Sequence, residues 1–322
     1  LTRADSPGRT DAAMTMPMPA PPARMSTLDW VLLLALSVLW GGSFFFNALA
    51  LAQWPPLPVL LVRVGLAALA LLLAVRLAGL SMAVGRSVWL AFFGMGILNN
   101  LIPFSLFLWG QQQIPSGLAS ILNAMTPIFT VLVMHVFGGE RATGPKIAGI
   151  LAGFAGVAIL IGPDALSGLG LNLLAQLACI GATVSYAFSG LYGRRFRALP
   201  PLVSAAGQLS ASTLMTLPIV LVVSPPWALP LPTGQTALAL LGLALVSTAL
   251  AYVIFFKVMR SAGPSNVVLV TFLIPVSAIL LGVGLLGETL LPRHFAGMAA
   301  IFAGLALIDG RVFGRIRARR RG

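Results

Sequence analysis

Apolar residues in this chain gather into long runs broken by short polar joints, the pattern of a polypeptide that crosses a bilayer repeatedly. A crossing helix needs about 20 apolar residues, and ten segments fall in that range: about 31–51, 57–77, 88–109, 114–137, 146–162, 169–191, 201–223, 235–256, 264–286 and 293–309. The joints are short, so no water-soluble domain is inserted between spans. Residues 1–27, rich in Pro, Met, Ala and Thr, predict a disordered tail instead.

The pattern occurs twice. Pro127 is followed thirteen residues later by Glu140, and Pro275 thirteen later by Glu288. At the same offset of 148 residues Gly139 meets Gly287, Ala148-Gly149 meets Ala296-Gly297, and Phe154-Ala155-Gly156 meets Phe302-Ala303-Gly304. An internal duplication follows. Each copy holds five spans, an odd number, so the second must enter the bilayer upside down. The predicted fold is an all-α integral membrane protein with ten transmembrane helices in two inverted five-helix repeats, at 28–163 and 168–309, followed by a basic tail at 310–322. Inverted repeats are the architecture of secondary transporters.

Composition agrees with lipid as the main solvent: 58% of residues are hydrophobic, 8% are charged, and mean hydropathy is +0.99. The one cysteine, Cys179, lies in a predicted span and excludes a disulfide framework or a cysteine metal site. A net charge of +13 suggests nucleic acid until its placement is read. Arg76 and Arg86, then Arg141 and Lys146, then Arg194, Arg195 and Arg197, then Lys257 and Arg260 occupy alternate joints, and Arg311, Arg315, Arg317 and Arg319–Arg321 the tail. The intervening joints carry almost nothing basic except Arg293. That bias predicts an inner-membrane protein with both termini cytoplasmic and no nucleic-acid partner.

The first span carries Leu39-Trp40-Gly41-Gly42-Ser43-Phe44, and the second opens on Pro55-Pro56-Leu57 with Arg63 six residues on. The fourth runs from Ala119-Ser120-Ile121-Leu122 through Pro127 to Gly139-Glu140. Doubled and in register, this set resembles the EamA-type transporters of the drug/metabolite transporter superfamily, over about residues 28–310. The resemblance implies a pseudo-two-fold axis in the membrane plane, peripheral fifth and tenth spans, and movement of small metabolites, often outward. The copies also differ. Pro200-Pro201-Leu202 repeats the opening of span two, yet Gln208 stands where Arg63 does, and Tyr186 stands approximately where Trp40 does.

Proline inside a helix frees the carbonyl four residues back, here those of Asn123 and Thr271. Paired interruptions in corresponding spans point to a transporter's binding site, so Pro127 and Pro275 are expected helix breaks, against the plainer reading of ordinary kinks. Ser120, Asn123, Asn266 and Thr271 are polar residues near them, with Asn123 the first choice for a substrate contact. Arg63 is an unambiguous charge within a span, and an embedded ionisable group is a functional candidate. Its planar fork suits a carboxylate, although a clamp on helix ends explains it equally well. Asn99 and Asn100 mid-span, and Gln111-Gln112-Gln113 at its end, can bind a zwitterionic or polyhydroxylated solute or join helices. Trp40, Tyr186 and Tyr252 are candidate aromatic walls, and Tyr252 matches Phe104 in the other copy.

Glu140 and Glu288 end spans on opposite faces, about 30 Å apart, and are expected to bind helix ends, Arg141, Arg293 or adjacent backbone. No metal cluster, phosphate-cradling loop or nucleophile elbow occurs in the sequence. The reading is therefore a secondary transporter, not an enzyme, moving amino acids or related solutes outward by alternating access, with no cofactor. Its partners are a small-molecule substrate and the lipid bilayer, and a monomer suffices. Spans one, three, four, six, eight and nine are expected to line a midplane cavity. The rivals are a lipid or lipid-linked sugar flippase, which needs a lateral opening lined by Arg63 and amides, and a membrane scaffold without a central cavity.

Overall fold

The computed structural model describes residues 25–162 and 170–309, so most of the tail expected at 1–27, and the basic tail at 310–322, lie outside it. Ten main helices follow in order: α1 (Thr27–Leu51), α2 (Pro56–Leu77), α3 (Arg86–Gly110), α4 (Ser116–Val136), α5 (Gly144–Ile161), α6 (Leu171–Phe196), α7 (Pro201–Val223), α8 (Gly234–Ala262), α9 (Val270–Leu286) and α10 (Pro292–Asp309). Eight are long and apolar enough to cross a membrane, while α9 and α10 are shorter apolar helices. The predicted eighth span, 235–256, extends to Ala262, and the predicted start of the ninth at 264 is a separate turn, Pro264–Val267.

The contacts prove the inversion. Gly149 faces Gly304 and Gly156 faces Gly297, a Cβ on either member meeting the other's carbonyl oxygen at 2.5 Å in the first pair and 2.7 Å in the second. Partners therefore fall along α10 as residues rise along α5, so the two equivalent helices run antiparallel. Gly149 corresponds to Gly297 and Gly156 to Gly304 by the repeat, so the contacts exchange as a two-fold requires. Other packings exchange likewise: α1 packs on α9 as α6 packs on α4, and α2 on α8 as α7 on α3. The small residues serve close packing of α5 on α10 at the periphery, as expected.

The repeated Gly-Glu signal also has a local cause. Gly139 and Gly287 have φ of 73° and 66°, the left-handed conformation that closes a helix and that glycine enters without penalty. The next amide returns to the carbonyl six residues back, Glu140 N to Met134 O and Glu288 N to Gly282 O, at 3.0 Å in each copy. Both glutamates are thus held where the following loop begins.

Two equivalent π-helical stretches interrupt the ladders, Ile97–Leu101 in α3 and Gly242–Leu250 in α8. Such turns frequently mark functional positions. In α3 the stretch precedes Pro103, which supplies no N–H. Ala251 takes that place in α8, so proline alone does not account for the second.

Candidate functional site

Between the repeats lies a cavity of about 600 Å³, within the usual range for a small-molecule site. Eight helices wall it, all but α5 and α10. The expected six are among them, and α2 and α7 are added through Arg63 and through Pro201, Ser204 and Gln208. Its mouth reaches the exposed Arg197 and Pro201, on the face where α6 ends and α7 begins. Its depth is reached at Asn47, Arg63 and Thr248. Nine aromatic side chains stand in the wall among polar ones, and no acidic side chain among the described residues lines it.

Arg63 is 6% exposed. Its Nε donates to Thr248 Oγ1 at 3.1 Å, and its guanidinium carbon lies 3.7 Å from the centroid of the Phe104 ring. The ring face favours a cation, while the hydroxyl fixes the plane of the fork. Nη1 and Nη2 have no hydrogen-bond partner among the described residues. Its hydrogen bond goes to a side chain within α8 and not to a helix-end carbonyl. Thr248 sits in the π stretch of α8 and itself donates to Leu243 O at 2.8 Å, which holds its oxygen toward Arg63.

Asn99 occupies the matching stretch of α3. Its Nδ2 donates to Gln208 Oε1 at 3.0 Å and to Tyr252 OH at 2.9 Å, while its Oδ1 accepts from Ser189 Oγ at 3.0 Å. One amide thereby joins α3, α6, α7 and α8. Gln208 reaches the α3 stretch just as its counterpart Arg63 reaches the α8 stretch.

Seven of the ten predicted contacts line the cavity: Trp40, Arg63, Asn99, Asn123, Tyr186, Tyr252 and Thr271. Asn100, Ser120 and Asn266 do not. Successive helical residues point about 100° apart, and Asn100, fully buried, turns instead to Ser212 Oγ at 3.0 Å. Ser120 donates to Gly117 O in its own helix, and Asn266 Nδ2 to Ala262 O.

Pro127 does break α4, and the sequence Ser116–Asn123, turn, Thr126–Val136 results. The freed carbonyl of Asn123, however, accepts Thr126 Oγ1 at 2.8 Å. A neighbouring hydroxyl thus occupies one lone pair of that carbonyl. Pro275 lies inside continuous α9, and the interruption falls earlier, between Val267 and Val270. The paired breaks are therefore not in register. Ile274 stands where Thr126 does, so the hydroxyl stitch has no counterpart.

The face opposite the mouth is closed by polar ties. Asn47 Nδ2 donates to Gln111 Oε1 at 2.8 Å, and Gln111 Nε2 to Phe44 O at 2.9 Å. Glu288 accepts from Ser116 N at 2.8 Å, Gly117 N at 3.1 Å and Ser116 Oγ at 3.0 Å, pairing the buried amides that begin α4 and have no partner within the helix. Trp54 Nε1 and Gln53 Nε2 donate to Pro230 O and Leu231 O. Glu140, the inverted equivalent of Glu288, pairs with Arg194 rather than with Arg141, beside the open face.

Sequence reasoning missed Asn47, Ser247, Thr248 and Gln208 as wall residues. The repeat held a signal: Ser247 and Thr248 match Asn99 and Asn100 at the 148-residue offset. Among the described residues no cluster of His, Cys, Asp or Glu is arranged to hold a metal.

The model of the EamA-like transporter family matches residues 28–162 and again 173–309. The chain is similar to an uncharacterized inner membrane transporter, YedA, of Escherichia coli (strain K12), 28% identical over 86% of this chain and 89% of that one. It is also similar to a probable amino-acid metabolite efflux pump of Escherichia coli (strain K12), 27% identical over 90% and 96% of the two chains. A probable terminal-alkyne amino-acid exporter of Streptantibioticus cattleyicolor is 26% identical over 91% and 97%. One crystal structure shares the fold with a TM-score of 0.64 at 21% identity, covering 92% of this chain and 99% of that one. Two family matches in tandem, the inverted packing and the central cavity agree, and the chain belongs to the EamA-like transporter family.

Proposed function

We propose that this protein is a secondary transporter that exports amino acids or related carboxylate-bearing metabolites across the inner membrane by alternating access. The observation that carries the reading is Arg63, a cation with an uncommitted fork deep in an aromatic cavity without an acid. A carboxylate fits that fork in two places at once, and the rings accept an apolar body. The names of the amino-acid exporters among the relatives support the same class. The basic joints favour a cytoplasmic mouth and two cytoplasmic termini, which makes this the loading state of an exporter. Release then needs the Glu288, Gln111 and Trp54 ties to part while the mouth closes. A membrane scaffold has no use for such a cavity.

Metabolite profiles of cells with and without the protein, followed by flux of the affected solutes from proteoliposomes, test the reading. Carboxylate-bearing solutes are expected to accumulate inside cells that lack it and to leave vesicles that contain it. Unchanged profiles together with vesicles no leakier than empty ones would refute it.

A further inference from the structure

Two residues of the cavity wall each carry a buried polar atom with no partner among the described residues, Asn47 Oδ1 and Ser247 Oγ. Asn47 is 2% exposed and Ser247 1%. Buried polar atoms are nearly always paired, so each such orphan requires a reason. Asn100, Gln176 and Ser210 also carry one, but none of these lines the cavity.

The direction of the Asn47 amide follows from its neighbours. Phe44 O can only accept, so the Gln111 atom facing it at 2.9 Å is Nε2. Gln111 Oε1 is then the acceptor on the other side, and the Asn47 atom 2.8 Å away must be Nδ2. The loose end of Asn47 is therefore an acceptor. Ser247 lies beside α1, its Oγ 3.9 Å from where a Cβ on Gly42 would stand. Other cavity hydroxyls close on a protein group: Ser43 on Trp40 O, Thr126 on Asn123 O, and Thr248 on Leu243 O. Ser247 does not.

Ser247 adjoins Thr248, which holds Arg63, and Asn47 lines the same cavity, so unpaired acceptors and a cationic donor belong to one site. A ligand suited to both carries an anionic group and a hydrogen-bond-donating cationic group close together. Neutral oxygens suffice for the second group where aromatic faces, here Trp40, Phe44 and Tyr252, supply further attraction. We infer that Asn47 and Ser247 form an ammonium-recognising half of the site, opposite the carboxylate-recognising Arg63, and that they select α-amino acids over the matching des-amino carboxylates. The inference rests on the transporter reading above and assigns specificity to residues outside the first set of candidates.

The test loads proteoliposomes of the full chain with an equimolar mixture of neutral L-amino acids and their des-amino carboxylates, leucine beside 4-methylpentanoate and phenylalanine beside 3-phenylpropanoate among them. Release is counted above that of protein-free vesicles. The wild type is expected to prefer the amino acids about tenfold or more, as loss of a hydrogen bond to a charged group implies. Asn47→Ala and Ser247→Ala are expected to shrink that preference several-fold by slowing the amino acids alone. Ser247→Ala deletes a hydroxyl that bonds nothing, so it keeps the test valid if Asn47→Ala, which also loses the Gln111 tie, fails to insert. A wild-type preference that Ser247→Ala leaves unchanged overturns the ammonium subsite and leaves the transporter reading intact. No release of either class from the wild type removes both.

Discussion

Arg63→Gln is expected to lower the flux of carboxylate-bearing solutes by at least about 30-fold while the protein still inserts and folds. Removing one partner of a buried charge pair costs about 2–5 kcal/mol, and each 1.4 kcal/mol is tenfold in affinity. Glutamine is the informative replacement because Gln208 already fills the equivalent place in the inverted copy. Folding loses only the Thr248 bond and the contact with Phe104, so the melting temperature is expected to fall far less than the flux. Arg63→Lys should recover part of the activity, since it keeps the charge and loses the planar fork. Flux and thermal melting measured on the same purified samples check both statements. Full flux in Arg63→Gln would take the arginine out of the site.

Gly156→Val is expected to abolish correctly assembled protein. A Cβ at Gly156 would stand 2.7 Å from Gly297 O and 2.8 Å from Ile301 N, both backbone atoms that no rotamer change can move. Overpacking a tight interface costs about 1–3 kcal/mol, occasionally more, and here the whole α5–α10 seam must shift. Gly297→Val should act alike, because the pseudo-two-fold puts it against Gly156 O at 2.7 Å. Gly284→Val, in α9 with nothing within 4 Å of its Cβ, is the control and should assemble normally. The check is the monodisperse yield in detergent on size-exclusion chromatography.

Much of this fold was legible because the bilayer imposes a simple rule, about 20 apolar residues per crossing, and because the duplication repeats. The Pro-to-Glu unit and the Ala-Gly, Phe-Ala-Gly stretches located the helix ends and the α5–α10 seam. Helix ends moved where backbone geometry departs from the regular: α8 gains six residues past 256, and α9 loses its first turn to a separate one at Pro264–Val267. The site was legible in part. Arg63 and Asn99 stood out as polar groups in apolar spans. Asn100 did too, but a neighbour on a helix faces elsewhere. Thr126 shows the limit of arguing from proline: the carbonyl that Pro127 frees was correctly named, but a hydroxyl three residues away absorbs it. Asn47 was hidden because its pairing with Gln111 joins residues 64 apart in the chain.

The central claim is that one cavity, with Arg63 at its depth, faces each side of the membrane in turn. Ser43 lines that cavity at 8% exposure and is close to cysteine in size. In a Cys179→Ala background, Ser43→Cys should react with a small membrane-impermeant thiol reagent from the Arg197 face, which is open in this conformation. It should also react from the Glu288 face, more slowly, and faster once Glu288→Ala releases the start of α4. Added amino acid should slow both reactions. Modification from the Arg197 face alone, unchanged by Glu288→Ala and by amino acid, would contradict alternating access through this cavity.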